Sequence, residues 1–167
     1  MTKVLVTGAT GYVGSRPIPR LLRDGHHVRA AVTDPDKARS KWWADEVELV
    51  QMDVLDAATV EAAVEGMDAV YYLIHALKGE DFTTTDRESA ENMAWAVAAA
   101  GVDVLVYLSG LVPDVPEAEL SEHITSRLEV ERILTGATAG IRVLTLRAAI
   151  VTGSGSTSFE VVRQISE

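Results

Sequence analysis

The chain has 167 residues, the size of one domain, and its 47% hydrophobic and 24% charged residues suit a folded core rather than a disordered chain. A formal net charge of −10 sets it against DNA, RNA and anionic lipid as partners, so an anionic ligand must be held by local features. With no cysteine, disulfides, thiol nucleophiles and cysteine-ligated zinc are excluded.

The apolar start is broken at Thr7-Gly8, too early for a signal peptide, and no apolar run approaches the roughly 20 residues of a membrane span. The cytoplasm is the expected location. Lys3–Thr7 reads as a buried strand and Tyr12–Arg23 as a helix ending at Asp24-Gly25. Pro17 and Pro19 each remove a helical N–H, which predicts an irregular first turn rather than loss of the helix. His27–Val32 is a second strand, and Asp34-Pro35 opens a short helix with a good cap and a proline at the first helical position. Val47–Met52 is a third strand, followed by a helix over Ala57–Val64 that Gly66 stops. Asp68–Ile74 is a fourth strand, then a longer helix runs from about Thr83 to Ala100. Val102–Leu108 is a fifth strand. A helix over Glu117–Leu134 carries Leu120, Ile124 and Leu128 at fourfold spacing. Ile141–Leu146 is a sixth strand, and Thr157–Ile165 looks like the start of another helix.

Strands alternating with helices predict an α/β fold: a doubly wound, Rossmann-type parallel sheet in the order 3-2-1-4-5-6 with helices on both faces. Residues 1–167 read as one domain with no internal repeat. The nearest thing to a boundary is Gly153-Ser154-Gly155-Ser156.

The turn Gly8-Ala9-Thr10-Gly11-Tyr12-Val13-Gly14 lies between the first strand and the first helix. Gly8 permits the tight turn, Gly11 lets a pyrophosphate approach the backbone, and Gly14 lets the helix pack closely on the sheet. Free N–H groups at the helix start, together with its dipole, then face the phosphates, and Thr10 adds a hydroxyl. A glycine pattern alone also fits a tight turn with no ligand, but here it follows the first strand and opens an α/β alternation, which favours a dinucleotide.

The spacing is GxxGxxG, and VLVTGATGYVG resembles the first strand and glycine turn of extended and atypical short-chain dehydrogenases/reductases. YYLIHAL from Tyr71, SEHITSRLEVERIL and GSGSTSFEVVRQI are similar to the NmrA-like, NAD(P)-binding branch. The resemblance implies that Tyr12 and Val13 join the glycines at the cofactor. It implies too that Asp53 and Val54 lie beside the adenine and that Leu73, Ile74 and His75 line the cofactor. For Asp53 the alternative is a cap on the turn Val54–Asp56. Members of the family usually continue into a smaller region that shapes the substrate pocket. That region is expected to be largely absent, leaving either a shortened chain or a minimal cofactor module.

An NAD-selective site places a carboxylate at the end of the second strand. That position is Val32, and Thr33, where NADP-selective members often carry arginine, follows it. Asp34 is nearer to a helix cap, while Lys37 and Arg39 are within reach of a 2′-phosphate or simply solvated. The balance favours NADP over NAD.

Hydride-moving members of the family use a tyrosine, a lysine four residues on and a serine. Ser109 matches the serine, but the other two positions are His123 and Arg127. One helical turn separates His123 from Arg127, so a Ser109–His123–Arg127 site is chemically feasible, with His123 moving protons near neutral pH. Equally, these residues only border the cofactor. Four scattered histidines give no metal motif. Trp42 and Trp43 cover the adenine side or pack a helix on the sheet, and Trp95 reads as core or interface. Two functions stand. One is an oxidoreductase acting on a small carbonyl, alcohol or quinone. The other is a non-catalytic dinucleotide sensor of the NmrA type. In this superfamily the helix around Glu117–Leu134 often forms a homodimer interface.

Overall fold

The computed structural model describes residues 1–75, 81–137, 140–153, 156, 159–160 and 163–164. Strands β1 (Lys3–Val6), β2 (His27–Val32), β3 (Glu48–Gln51), β4 (Ala69–Tyr72), β5 (Val104–Gly110) and β6 (Arg142–Ala148) form a six-stranded sheet in the order β3-β2-β1-β4-β5-β6. All five pairings are parallel. This is the doubly wound arrangement that the strand–helix alternation predicts, with its reversal between β1 and β4.

The helices divide between the faces because successive strand residues point to opposite sides. Val4, Val6, Val28, Ala30 and Val32 pack with Ile18 and Leu21 of α1 (Pro17–Arg23) and Ala38 of α2 (Pro35–Ala38). Leu5, Ala31, Val70, Tyr72 and Leu105 face the other way. There they meet Val60 and Val64 of α3 (Ala57–Val64), Met93 and Val97 of α4 (Phe82–Ala100) and Val130 and Leu134 of α5 (Glu122–Ala137). Trp43, fully buried, plugs the first layer, whereas its neighbour Trp42 is 70% exposed. Trp95, read from sequence as core or interface, is also exposed.

Short polar side chains set the helix starts. Asp34 accepts the Lys37 amide at 3.1 Å, with Pro35 at the first position of α2, and Asp56 accepts the Ala58 amide at 3.1 Å to open α3. Gly101, with φ 68°, closes α4 in the left-handed conformation that its missing Cβ allows.

Two boundaries differ from expectation. The first helix begins at Pro17 rather than Tyr12. Neither Pro17 nor Pro19 can donate to a carbonyl one turn back, so residues 12–16 form successive turns instead. Helix α5 begins at Glu122 rather than Glu117. Glu117–Glu119 is a separate 3-10 turn, and Leu120 is extended at ψ 147°, which interrupts the helical path. The helix expected over Thr157–Ile165 falls mostly outside the described residues. At its entrance the Ser156 hydroxyl accepts the Phe159 amide at 3.0 Å.

Candidate functional site

At the carboxyl edge of the sheet, β1 and β4 part where the strand order reverses, the place where open α/β sheets take their ligands. Thr7 fixes this corner. Its buried hydroxyl accepts the Leu73 amide at 2.9 Å and donates to the Tyr71 carbonyl at 3.0 Å. Gly8 follows in the left-handed region at φ 60°, where a side chain would be strained. Gly14 then folds back onto it: an ideal Cβ on Gly14 would lie 2.2 Å from the Gly8 carbonyl oxygen, so only glycine fits.

The amides of this loop fall into two sets. Gly11 donates to Gly8 at 2.9 Å, Ser15 to Gly11 at 3.1 Å and Arg16 to Val13 at 3.1 Å. The amides of Thr10, Tyr12, Val13 and Gly14 have no acceptor among the described residues, and all four residues line one cavity. A fan of unpaired N–H groups is an anion seat. Its donors come from the turns ahead of α1, not from the first turn of the helix as expected. The Arg16 guanidinium stacks on the Tyr12 ring at 3.4 Å and closes the outer side. The Tyr12 hydroxyl lies over Gly153, where an added Cβ would fall 2.1 Å away.

The cavity measures about 570 Å³ and runs from the glycine turn along the ends of β4, β5 and β6. The expected residues Gly8, Thr10, Gly11, Tyr12, Val13 and Gly14 line one end, and Leu73, Ile74 and His75 line the wall from β4. Ser109 and Arg127 lie on the wall from β5 and α5. Thr33, Asp53 and Val54 are not on this wall. Thr33 and Asp53 are exposed at the ends of β2 and β3, on the far side of the glycine turn. The Asp53 carboxylate accepts the Leu55 amide at 3.0 Å, and the Val54 carbonyl accepts from Asn92 of α4 at 2.9 Å. Leu108, Gly110, Ala148, Ala149, Ile150, Val151 and Ser156 also line the cavity and were not picked out from sequence. The carboxyl-edge rule, applied to β5 and β6, would have pointed to them.

The polar side chains of the inner wall are unevenly placed. The Ser109 hydroxyl is buried with no hydrogen-bond partner among the described residues. Arg127 donates to the Leu108 carbonyl at 3.0 Å. His123, one turn earlier on α5, is exposed, stacks on Phe82 at 4.5 Å and is not among the lining residues. The expected Ser109–His123–Arg127 constellation is thus brought together only in its serine and arginine. His75 occupies the wall instead. Burial, then the Arg127 guanidinium, pushes its pKa down to about 4, with Asp86 opposing and His123 adding to the fall. Buried Asp86 of α4 accepts the Ser126 hydroxyl at 3.0 Å, linking α4 to α5 behind this wall. Burial raises the Tyr107 phenol, against the pull of Arg127 and Ser109.

A family model described as NAD(P)H-binding matches residues 8–163. The chain belongs to this NAD(P)H-binding family. Among relatives of the NAD(P)H-binding chain, (4-alkanoyl-5-oxo-2,5-dihydrofuran-3-yl)methyl phosphate reductase of Streptomyces griseus is 38% identical over 124 residues, 74% of this chain and 39% of that protein. A putative epimerase from Burkholderia cenocepacia superposes with a TM-score of 0.85 at 20% identity, over 98% of this chain and 59% of the other. An NADPH-dependent quinone oxidoreductase from Escherichia coli superposes with a TM-score of 0.66 at 26% identity, over 87% and 46%. The structural neighbours include epimerases and reductases. The NAD(P)H-binding chain spans about a third of the length of the curated relatives it matches.

Proposed function

We propose that the chain is the cofactor-binding domain of a short-chain-type reductase that uses NADPH in preference to NADH. The observation that carries the proposal is the fan of four unpaired amides at Thr10, Tyr12, Val13 and Gly14, opening into a cavity that reaches Ser109 and Arg127. These amides would hold the pyrophosphate, with Gly8 and Gly14 keeping the backbone close. Leu73, Ile74 and His75 would border the nicotinamide half, excluding water on the apolar side. The bound dinucleotide would supply hydride. Ser109 and Arg127 would orient an acceptor oxygen.

Cofactor preference is argued from the end of β2. Thr33 carries no carboxylate to hold a ribose 2′-OH. Asp34, the nearest acid, caps α2 and pairs with Lys37 at 3.2 Å. The Lys37 side chain is 88% exposed, and its ammonium would be the cation that meets a 2′-phosphate in this proposal. Thr33, Asp53 and Val54 border the adenosine half in this proposal.

A second reading, a dinucleotide sensor without turnover, is favoured by one observation: His123 stands outside the lining, so no Tyr–Lys-like pair faces the cavity. A homodimer through α5 belongs to the proposal on the strength of the family resemblance. Among the described residues, no helix is long and apolar enough to cross a membrane.

Calorimetric titration with NADP and NAD in parallel tests the cofactor claim. NADP is expected to bind at least tenfold more tightly, and binding of neither at millimolar concentration defeats the proposal. NADPH consumption with a panel of carbonyls and quinones then separates the reductase from the sensor.

A further inference from the structure

The wall of the cavity closes on itself. It starts at the glycine turn beyond β1 and passes by parallel pairing to β4, β5 and β6. The chain leaving β6 lines it through Ala148, Ala149, Ile150 and Val151 and then reaches Gly153. There it meets the hydroxyl of Tyr12, a residue of the turn where the circuit began. An ideal Cβ on Gly153 would fall 2.1 Å from that hydroxyl. The other links of the circuit are covalent chain or sheet hydrogen bonds, and this one is a side chain resting on backbone.

Both ends of the link are braced. Leu111, beyond β5, donates to the Ala148 carbonyl at 2.9 Å, and the Gly153 carbonyl accepts the Ser156 amide at 2.9 Å. The loop is thus pinned on either side of its contact. On the other end, the Arg16 guanidinium lies 3.4 Å from the centroid of the Tyr12 ring and donates to the Tyr12 carbonyl. A flat cation on its face favours one orientation of the ring, the one that carries the hydroxyl to Gly153. The backbone of Gly153 is not in the left-handed region, so space for the hydroxyl, rather than conformational freedom, calls for glycine here.

We infer that Tyr12, steadied by Arg16, is a clasp that latches the glycine turn to the β6 loop over the pyrophosphate and gates the exchange of dinucleotide. The inference rests on the cofactor reading above. In that reading the adenosine half lies beyond the turn, by Thr33 and Asp53, and the nicotinamide half lies in the cavity, by Leu73, Ile74 and His75. The narrow pyrophosphate joins the two halves through the ring, and each half is too bulky to follow it while the clasp is shut. Entry and exit then need the same event, in which the Tyr12 ring swings off Gly153. A gate that opens for both slows both steps, whereas an ordinary contact acts mainly on release.

The test is stopped-flow kinetics of NADPH, followed by its own fluorescence, on the full chain. Tyr12→Ala and Gly153→Ala are each expected to raise the association and dissociation rate constants together by at least about fivefold, with the dissociation constant changing less than about threefold. Gly153→Ala opens the clasp by displacing only the free end of a side chain, so its melting temperature should stay near wild type. Arg16→Lys should fall between, since it keeps the charge but not the flat face. Faster release at unchanged association, with a matching loss of affinity, makes Tyr12 a plain contact and overturns the gate, as do unchanged rates in both variants. A covalent latch supplies the opposite perturbation. The chain has no cysteine of its own, so Tyr12→Cys with Gly153→Cys, joined by a short bismaleimide over bound NADPH, places a fixed bridge where the clasp stands. Release should slow at least about tenfold against the same double variant left unlinked. Release at the unlinked rate overturns the proposal, even should Tyr12→Ala not fold. If wild type binds NADPH while the variants and the bridge leave its rates alone, the clasp falls and the cofactor seat stands. If wild type binds neither nicotinamide nucleotide, both fall.

Discussion

Replacing Gly14 with alanine puts the phosphate cradle to a direct test. The new Cβ would lie 2.2 Å from the Gly8 carbonyl oxygen, 2.7 Å from its carbonyl carbon and 3.1 Å from the Ala9 Cα. All three neighbours are backbone, so no side chain can swing aside and the loop itself must move by about 1 Å, an overpacking cost of about 1–3 kcal/mol. For a chain of this size that lowers the melting temperature by about 2 to 12 °C. The same displacement pulls the Val13 and Gly14 amides off their common focus. Losing one charge-assisted bond of about 1.5–3 kcal/mol weakens dinucleotide binding at least about tenfold. Gly11→Ala is the companion variant. Its Cβ would meet the Gly8 carbonyl at 3.1 Å, a single tight backbone contact, so Gly11→Ala should destabilise less than Gly14→Ala while still shifting the loop amides and weakening binding. Differential scanning calorimetry and calorimetric titration with NADP read both effects. Unchanged melting and unchanged affinity in Gly14→Ala would mean that the loop is not folded onto Gly8 in this way.

Other outcomes follow from single contacts. Thr7→Val removes the acceptor of the buried Leu73 amide and should cost about 1–3 kcal/mol by urea unfolding, while Thr7→Ser keeps the bond and most of the stability. His75 resists protonation in the fold until about pH 4, whereas the unfolded chain takes up that proton near its ordinary value of 6.5. Its contribution is therefore complete above pH 6.5 and is lost as pH falls toward 4, at about 1.4 kcal/mol per unit at most. His75→Gln should flatten that part of the stability profile, and a profile identical to wild type would speak against a neutral buried imidazole. Trp43→Ala should destabilise by about 3–5 kcal/mol, and Trp42→Ala next to it by less than about 0.5 kcal/mol, because only the first side chain is inside.

Much of the frame was legible because it rests on local chemistry. Apolar runs of strand length, alternating with helices capped by Asp34 and Asp56 and closed by Gly101, are short-range signals, and the parallel order follows from the handedness of the crossovers. The glycine spacing pointed to a close backbone approach, which the 2.2 Å position on Gly14 makes concrete. The start of α1 was harder. The cost of Pro17 and Pro19 was visible in advance, but not that the chain would wind through separate turns over residues 12–16 and leave four amides free.

His123 and Arg127 share a face of α5 by simple periodicity. Which residue on that face reaches the cavity depends on how α5 lies across β5 and against α4. Arg127, with the longer side chain and nearer to β5, reaches the Leu108 carbonyl, and His123 turns to Phe82. Trp42 and Trp43 are neighbours of the same type with opposite fates, decided by where the turn after α2 meets the first helical layer. The unpaired hydroxyl of Ser109 and the lining by Ile150 and Val151 likewise arise where β4, β5 and β6 end together. Residue order by itself determined the strand and helix alternation and the place of the glycine turn, because dihedral preference and burial periodicity act over a few residues. Only the tertiary structure decided which polar groups share a wall, because that depends on packing between elements tens of residues apart.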